Sequence, residues 1–290
     1  MIFMLKASTI QLLRVKFSFF LMPVYWFAIG QINDINILKA IIIFIILHLF
    51  IYPASNAYNS YMDKDKGSIG GIKKPMAPTK QLFYVSILLD CIGVICALFI
   101  NYYVAVALVF YIAASRAYSY RGIRLKRFPI ISFITAIVFQ GAVVYFMVYY
   151  GSNNLSPKNI PYLEMAASTL MVGSFYPLTQ IYQHRQDKED GVKTISMLLG
   201  YVGTFIFSAV CYFLSMLFMG YYFGSNLELD RFLVLVSCML PTLLFFLWWF
   251  FAVKKTTTAA SFENAMKMNF TAACCSNVGF LVILLMKEKF

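Results

Sequence analysis

Apolar runs of about 20 residues, the length that crosses a hydrocarbon core roughly 30 Å thick, follow one another along almost the whole 290-residue chain. Nothing else constrains the fold as strongly. In lipid, backbone N–H and C=O groups have no water to bond, so each run must satisfy its own backbone as a helix. Polar punctuation divides the runs at about 15–32, 37–59, 82–101, 103–118, 129–150, 161–182, 196–223, 231–252 and 268–286, which predicts nine transmembrane helices. Asn101 and its tyrosine neighbours are the thinnest divider, and running the helix through them gives eight. Nine spans leave only short loops, so residues 1–290 are expected to form a single polytopic, all-α integral membrane domain. Only 12% of the residues are charged, about half the share usual in soluble domains, and mean hydropathy is +0.74. A soluble globule is excluded. The first run follows Lys6, Arg14 and Lys16 with no small-residue cleavage site, so it is expected to be a retained span rather than a removable signal.

A net charge of +12 would suggest nucleic acid in a soluble protein, but here its distribution indicates topology. All but five of the 24 Lys and Arg residues fall at the N-terminus or in the loops near 60–81, 116–128, 183–195 and 253–267; the exceptions are Lys39, Lys158, Arg231, Lys287 and Lys289. The positive-inside rule puts those loops in the cytoplasm, as expected of a multi-pass protein of an inner or cytoplasmic-type cell membrane. No nucleic-acid partner is expected, and no obligate protein partner is evident. The six cysteines lie in apolar runs without CxxC spacing or histidine neighbours, and are expected to be packing residues rather than zinc ligands or disulfides. Trp248 and Trp249, near a cytoplasmic boundary, are expected to be interface anchors. Asp90 falls in mid-span, where a carboxylate is costly without a partner.

The chain also repeats itself. YPASNAYNSYMDKDKG at 52–67 and YPLTQIYQHRQDKEDG at 176–191 lie 124 residues apart and agree at six of sixteen positions: Tyr52/Tyr176, Pro53/Pro177, Tyr58/Tyr182, Asp63/Asp187, Lys64/Lys188 and Gly67/Gly191. An offset spanning four helices predicts two four-helix pseudo-repeats plus one further helix around a central cavity, with spans 2 and 6 equivalent. On a helix, Asn56, Asn59 and Asp63 are spaced i, i+3, i+7, as are Gln180, Gln183 and Asp187, so each trio is predicted to share one face. Oxygen ligands without His or Cys suit a hard cation, Mg²⁺ above all, which takes one or two carboxylates and completes its shell with water and substrate phosphates. The intervening loop holds Arg116, Arg121, Arg124, Lys126 and Arg127 among Tyr118 and Tyr120, and such cations clamp phosphate oxygens. A Mg²⁺-diphosphate with a lipophilic tail fits this combination.

Three segments resemble the signatures of the UbiA family of intramembrane prenyltransferases. Asn59, Tyr61, Asp63, Lys74 and Pro75 match the first, an Asn-Asp-x-x-Asp-x-x-x-Asp run followed by a basic residue and proline. Asp187, Gly191 and Thr194 match the second, Asp-x-x-x-Asp-x-x-x-Gly-x-x-Thr. Tyr118, Leu125, Lys126 and Arg127 match the Tyr and Leu-Lys-Arg segment after helix 4. Ser60, Gly67 and Gln183 stand where the family carries aspartates.

The resemblance implies that Asp63 and Asp187 are catalytic through Mg²⁺, with Asn59, Asp65 and Gln183 as further metal ligands. Lys126, Arg127, Lys74, Asn56 and Tyr118 would then bind the diphosphate. The implied reaction transfers a prenyl group from an isoprenoid diphosphate to a lipophilic acceptor, typically an aromatic ring. Two other functions share parts of this pattern. An intramembrane terpene cyclase would ionise the same diphosphate without a second substrate. A secondary transporter would place polar residues at broken helix ends, and Pro53 and Pro177 are the feature that suits it.

Overall fold

The computed structural model describes residues 4–64, 67–154 and 159–287, and Asp65 lies outside them. Among the described residues every regular element is helical. Among these residues, seven helices are long and apolar enough to cross a membrane. They are α1 (Ala7–Gly30), α2 (Ile37–Asp63), α3 (Lys80–Leu98), α5 (Pro129–Ser152), α8 (Ile195–Ser225), α9 (Leu229–Lys255) and α10 (Phe262–Lys287). Between them come α4 (Tyr102–Ser119), α6 (Tyr162–Phe175) and the short α7 (His184–Glu189). Asn101 does divide α3 from α4: its side chain accepts a hydrogen bond from the Tyr103 N–H and caps the second helix.

Packing runs α5 to α6, α6 to α8, α8 to α9, α9 to α10 and α10 to α1, while α2, α3 and α4 pack on one another. Phe27 of α1 stacks on Phe280 of α10 and packs against Tyr145 of α5, all three fully buried. The outward side chains are themselves apolar, among them Leu88, Phe110, Phe213 and Leu244, as contact with lipid rather than water requires.

Several helices are irregular where the polar residues gather. α1 breaks at Arg14, whose φ is +48°. α2 and α5 each contain a π-helical stretch, Ile46–Ile51 and Val138–Val143. The two Tyr-Pro pairs resolve differently. Pro53 follows the π-helical turn and opens the last straight segment of α2, so Asn56, Asn59 and Asp63 share a face of one continuous helix. The expectation of a helix over 161–182 is corrected: α6 ends at Phe175, Pro177–Thr179 form a 3₁₀ turn, and Gln183 precedes the separate α7. Proline lacks an N–H and its ring clashes with the carbonyl four residues back, and here no π-turn relieves that clash. Gln180, Gln183 and Asp187 are therefore not on one helix face. Trp249 is a second correction. It is fully buried, its indole N–H donating to the Ala259 carbonyl at 2.8 Å, and only Trp248 is exposed.

The π-turn of α5 presses directly on α6. A Cβ at Gly141 would stand 2.5 Å from the Thr169 Cα, a backbone atom that has no rotamer to escape into. Gly141→Ala is expected to destabilise the bundle by about 1–3 kcal/mol through overpacking; thermal unfolding in detergent measures it, and an unshifted melt contradicts this packing.

Candidate active site

The two copies of the repeated segment meet at one cavity of about 250 Å³. Asn56, Asn59 and Asp63 enter it from the end of α2, and Gln180, Gln183 and Asp187 from the turn and short helix after α6. Between them stand Tyr118 of α4, Lys126 of the loop before α5, and Tyr176, whose hydroxyl lies 2.5 Å from that of Tyr118. Thr194, which caps α8 by accepting the Met197 N–H, completes the second segment's contribution.

Hydrogen bonds fix α2 against α4. Asn59 Nδ2 donates to Ser119 Oγ at 2.8 Å, and Ser115 Oγ donates to Ser55 Oγ at 2.9 Å. One turn along α4, Arg116 forms a buried ion pair with Asp90 of α3 and donates to the Ser86 carbonyl at 3.2 Å. Its guanidinium also lies over the Tyr58 ring, 4.0 Å from the centroid. The mid-span carboxylate thus has a partner that ties α2, α3 and α4 together.

Asp63 ends α2, since Lys64 turns the chain out of the helix with φ +52°. Lys126 Nζ lies 2.6 Å from Asp63 Oδ1, and the two side chains are 12% and 4% exposed. Behind it, Arg124 pairs with Asp190, which is 3.8 Å from the same ammonium. On the other side, Gln183 Nε2 donates to the Ser68 carbonyl at 2.9 Å, drawing the first motif's loop onto the second. His184 bonds Ser196 at 2.7 Å and stacks on Tyr201, and burial holds its imidazole below the usual range.

Seven of the expected site residues therefore line one cavity: Asn56, Asn59, Asp63, Tyr118, Lys126, Gln183 and Asp187. Arg127 and Lys74 do not; both are exposed and outside the lining. Arg14 is a lining residue that sequence reasoning missed, having counted it only as a topogenic charge. The break in α1 brings its guanidinium to the Gly70 carbonyl at 3.2 Å and the Asn56 carbonyl at 3.4 Å.

The donor set fits a hard cation. Among the described residues the lining offers two carboxylates and five side-chain amides but neither His nor Cys, and oxygen-only sets favour Mg²⁺ over softer metals. Gln180 Oε1 is buried there without a hydrogen-bond partner, an acceptor still to be satisfied. Among the described residues no three His, Cys, Asp or Glu side chains gather as a metal cluster, so other shell positions must fall to amides, water or a ligand's own oxygens. A second, apolar cavity of about 170 Å³ shares Phe17, Gln140, Tyr176 and Thr179 with the first and runs on between α1, α6 and α10.

Removing one member of the buried Asp90–Arg116 pair strands the other. Asp90→Asn is expected to cost about 3–5 kcal/mol, and Asp90→Leu with Arg116→Met to recover most of it. Melting curves of both variants decide, and an Asp90→Asn protein as stable as the parent contradicts the pairing.

The fold has solved counterparts. An apo UbiA homolog from Aeropyrum pernix K1 superposes with a TM-score of 0.70 at 18% identity, over 93% of this chain and 98% of that one. A UbiA homolog from Archaeoglobus fulgidus, bound to GPP and Mg²⁺, gives 0.68 at 17% identity over 96% and 99%. Digeranylgeranylglyceryl phosphate synthase gives 0.63 at 17% identity over 98% of both chains. No curated protein matches the sequence. The sequence profile of the UbiA prenyltransferase family matches residues 17–271. An integral membrane protein with apolar helices around a polar cavity, matched by that profile over most of its length, this chain belongs to the UbiA prenyltransferase family.

Proposed function

We propose that this protein transfers a prenyl group from a Mg²⁺-bound isoprenoid diphosphate to a lipophilic, aromatic acceptor within the membrane. The observation that carries the proposal is the meeting of both repeated segments, each with its own carboxylate, at one cavity that also holds a lysine. Asp63 and Asp187 are the catalytic carboxylates of this account, with Asn59, Gln183 and Asp65 as further metal ligands. Lys126, Asn56 and Tyr118 bind the diphosphate from within the cavity. Arg127 and Lys74 act from the rim, where long exposed cations steer an anionic substrate inward. Bound Mg²⁺ neutralises charge on the departing pyrophosphate.

In the reaction, the C–O bond of the allylic diphosphate breaks and its electron pair leaves with pyrophosphate. The acceptor then gives an electron pair to the prenyl C1, forms the new bond and loses a proton to solvent. The aromatic faces of Tyr111, Tyr118, Phe139 and Tyr176 line the cavity and stabilise positive charge on the prenyl carbons, while the adjoining apolar cavity keeps water from them. GPP and Mg²⁺ bound to the Archaeoglobus fulgidus homolog support this donor chemistry.

The same account has residues 1–290 as one membrane domain with nine crossings. α4 and the segment from α6 through the 3₁₀ turn make the two crossings beyond the seven long helices, and the four-helix pseudo-repeat requires both. The motif loops then lie on the cytoplasmic side of the cell's inner or cytoplasmic membrane, in keeping with their Lys and Arg content.

Purified protein incubated with geranyl, farnesyl or geranylgeranyl diphosphate is expected to release pyrophosphate only with Mg²⁺ and a membrane lipid extract supplying acceptors. Asp63→Asn and Asp187→Asn should each lower that release by about 100-fold or more, the scale of losing one electrostatic stabiliser. Release without extract would favour the cyclase, and no release from folded protein with any donor contradicts prenyl transfer.

A further inference from the structure

Two amide side chains in the second cavity have nothing to bond. Most of that wall is apolar, and its other polar side chains are answered from within the protein. Thr179 Oγ1 donates to the Tyr176 carbonyl at 2.7 Å, the Tyr176 hydroxyl lies 2.5 Å from that of Tyr118, and Ser276 Oγ donates to the Ala272 carbonyl. Gln140 and Asn269 are the exceptions: among the described residues neither side chain makes a hydrogen bond. Asn269 is only 6% exposed. An amide withdrawn from water and left unpaired is costly, and buried polar groups nearly always have a partner.

Both amides stand where the apolar cavity joins the polar one. Gln140 belongs to the π-helical stretch of α5 and lines both cavities. Asn269 is the first residue of α10 to reach the apolar cavity. One turn before it, Met266 Sδ accepts the Gly71 N–H, and Gly70 lines the polar cavity. Ser276 lines the apolar cavity seven residues farther along α10, about 10 Å deeper at 1.5 Å per residue. The deep end is thus left to hydrocarbon.

An amide donates through its N–H and accepts through its C=O, so two of them suit a hydroxyl, which does both. Among the described residues no Lys, Arg, His, Asp or Glu lines the apolar cavity. Arg14 stands on the polar cavity's wall, donating to the Gly70 and Asn56 carbonyls. A carboxylate brought between the amides would lose its water without gaining a countercharge. The rings of Phe17, Phe20, Phe175 and Tyr176 line the same space, and aromatic faces pack well against another ring.

We propose that Gln140 and Asn269 form the acceptor's binding site, holding the hydroxyl of a neutral, phenol-type ring beside the first carbon of the prenyl donor. This inference rests on the prenyl transfer proposed above and adds the acceptor's chemistry to it. Fixing the hydroxyl orients the ring toward that carbon, whereas an apolar pocket alone leaves it free to turn.

The test uses full-length protein in nanodiscs with geranyl diphosphate, Mg²⁺ and a membrane lipid extract divided on an anion exchanger into neutral and acidic fractions. The neutral fraction is expected to support pyrophosphate release, and acetylating its hydroxyls to abolish it. Asn269→Leu and Gln140→Met, each close in size to the residue replaced, are expected to need about 3–10-fold more neutral fraction for half-maximal release, the scale of one hydrogen bond. Half-saturation by geranyl diphosphate is expected to stay unchanged. Neither variant is expected to melt below the parent, because the protein itself gives these amides no partner. Acceptor activity confined to the acidic fraction, activity that survives acetylation, or either variant saturating like the wild type overturns the inference and leaves prenyl transfer standing. A lowered melting temperature in both variants makes the amides structural and overturns it as well. Release that needs no extract, or no release from folded protein with the whole extract, overturns the inference together with the prenyl transfer beneath it.

Discussion

Charge placed at the edge of a hydrocarbon slab has to be answered by charge, and the contact between Lys126 and Asp63 is where this molecule meets that demand most directly. Asp63 closes α2, Lys126 sits in the loop that opens α5, and their pairing ties the two ends together across the cavity mouth. Much of the surrounding geometry follows. The Arg124–Asp190 pair brings the second repeat's loop to the same point, and Gln183 draws in the Ser68 carbonyl from the first. Farther along α4, the Arg116–Asp90 pair solves the same problem within the helices. A pair of this kind adds little net stability against an apolar substitute, but breaking one is costly. Such pairs therefore specify which helix ends meet, which is what a site assembled from two repeats requires.

Most of the helical layout was legible in the sequence because lipid leaves the backbone one local solution. Run length and polar punctuation placed most ends of the long helices to within about four residues, although α1 begins eight residues and α10 six residues before the expected start, and the six shared positions of the repeat located both walls of the cavity. The failures have particular causes. Tyr52-Pro53 and Tyr176-Pro177 are identical dipeptides, and only the three-dimensional setting decides that a π-turn absorbs the first while the second ends α6. Arg14 carried a charge that the positive-inside rule explained fully, so nothing in the pattern pointed to the left-handed break that turns it toward the site. Trp249 and Trp248 are adjacent, and neither periodicity nor hydropathy tells which face of α9 meets α8 and α10. Lys74 and Arg127 matched family positions but stand at the surface, a matter of loop path that spacing does not encode.

Each copy of the repeated segment brings one carboxylate to this cavity, and the two copies are built differently. The first half keeps a continuous helix and a lysine against its aspartate; the second keeps its aspartate on a short helix after a broken span. One pole of the combined space is polar and faces the basic loops. The other is apolar and continues between α1, α6 and α10, with Gln140, Tyr176 and Thr179 at the boundary. An amphipathic substrate with an anionic head and a hydrocarbon tail matches that polarity, and the boundary is where its first carbon would stand.

The most direct test is a structure of the protein with geranyl S-thiolodiphosphate and Mn²⁺, with the metal located by anomalous scattering. The account predicts the diphosphate between Lys126 and Asp187, with the hydrocarbon tail directed toward the apolar cavity. A diphosphate bound elsewhere, or a tail leading away from Gln140 and Tyr176, would contradict it.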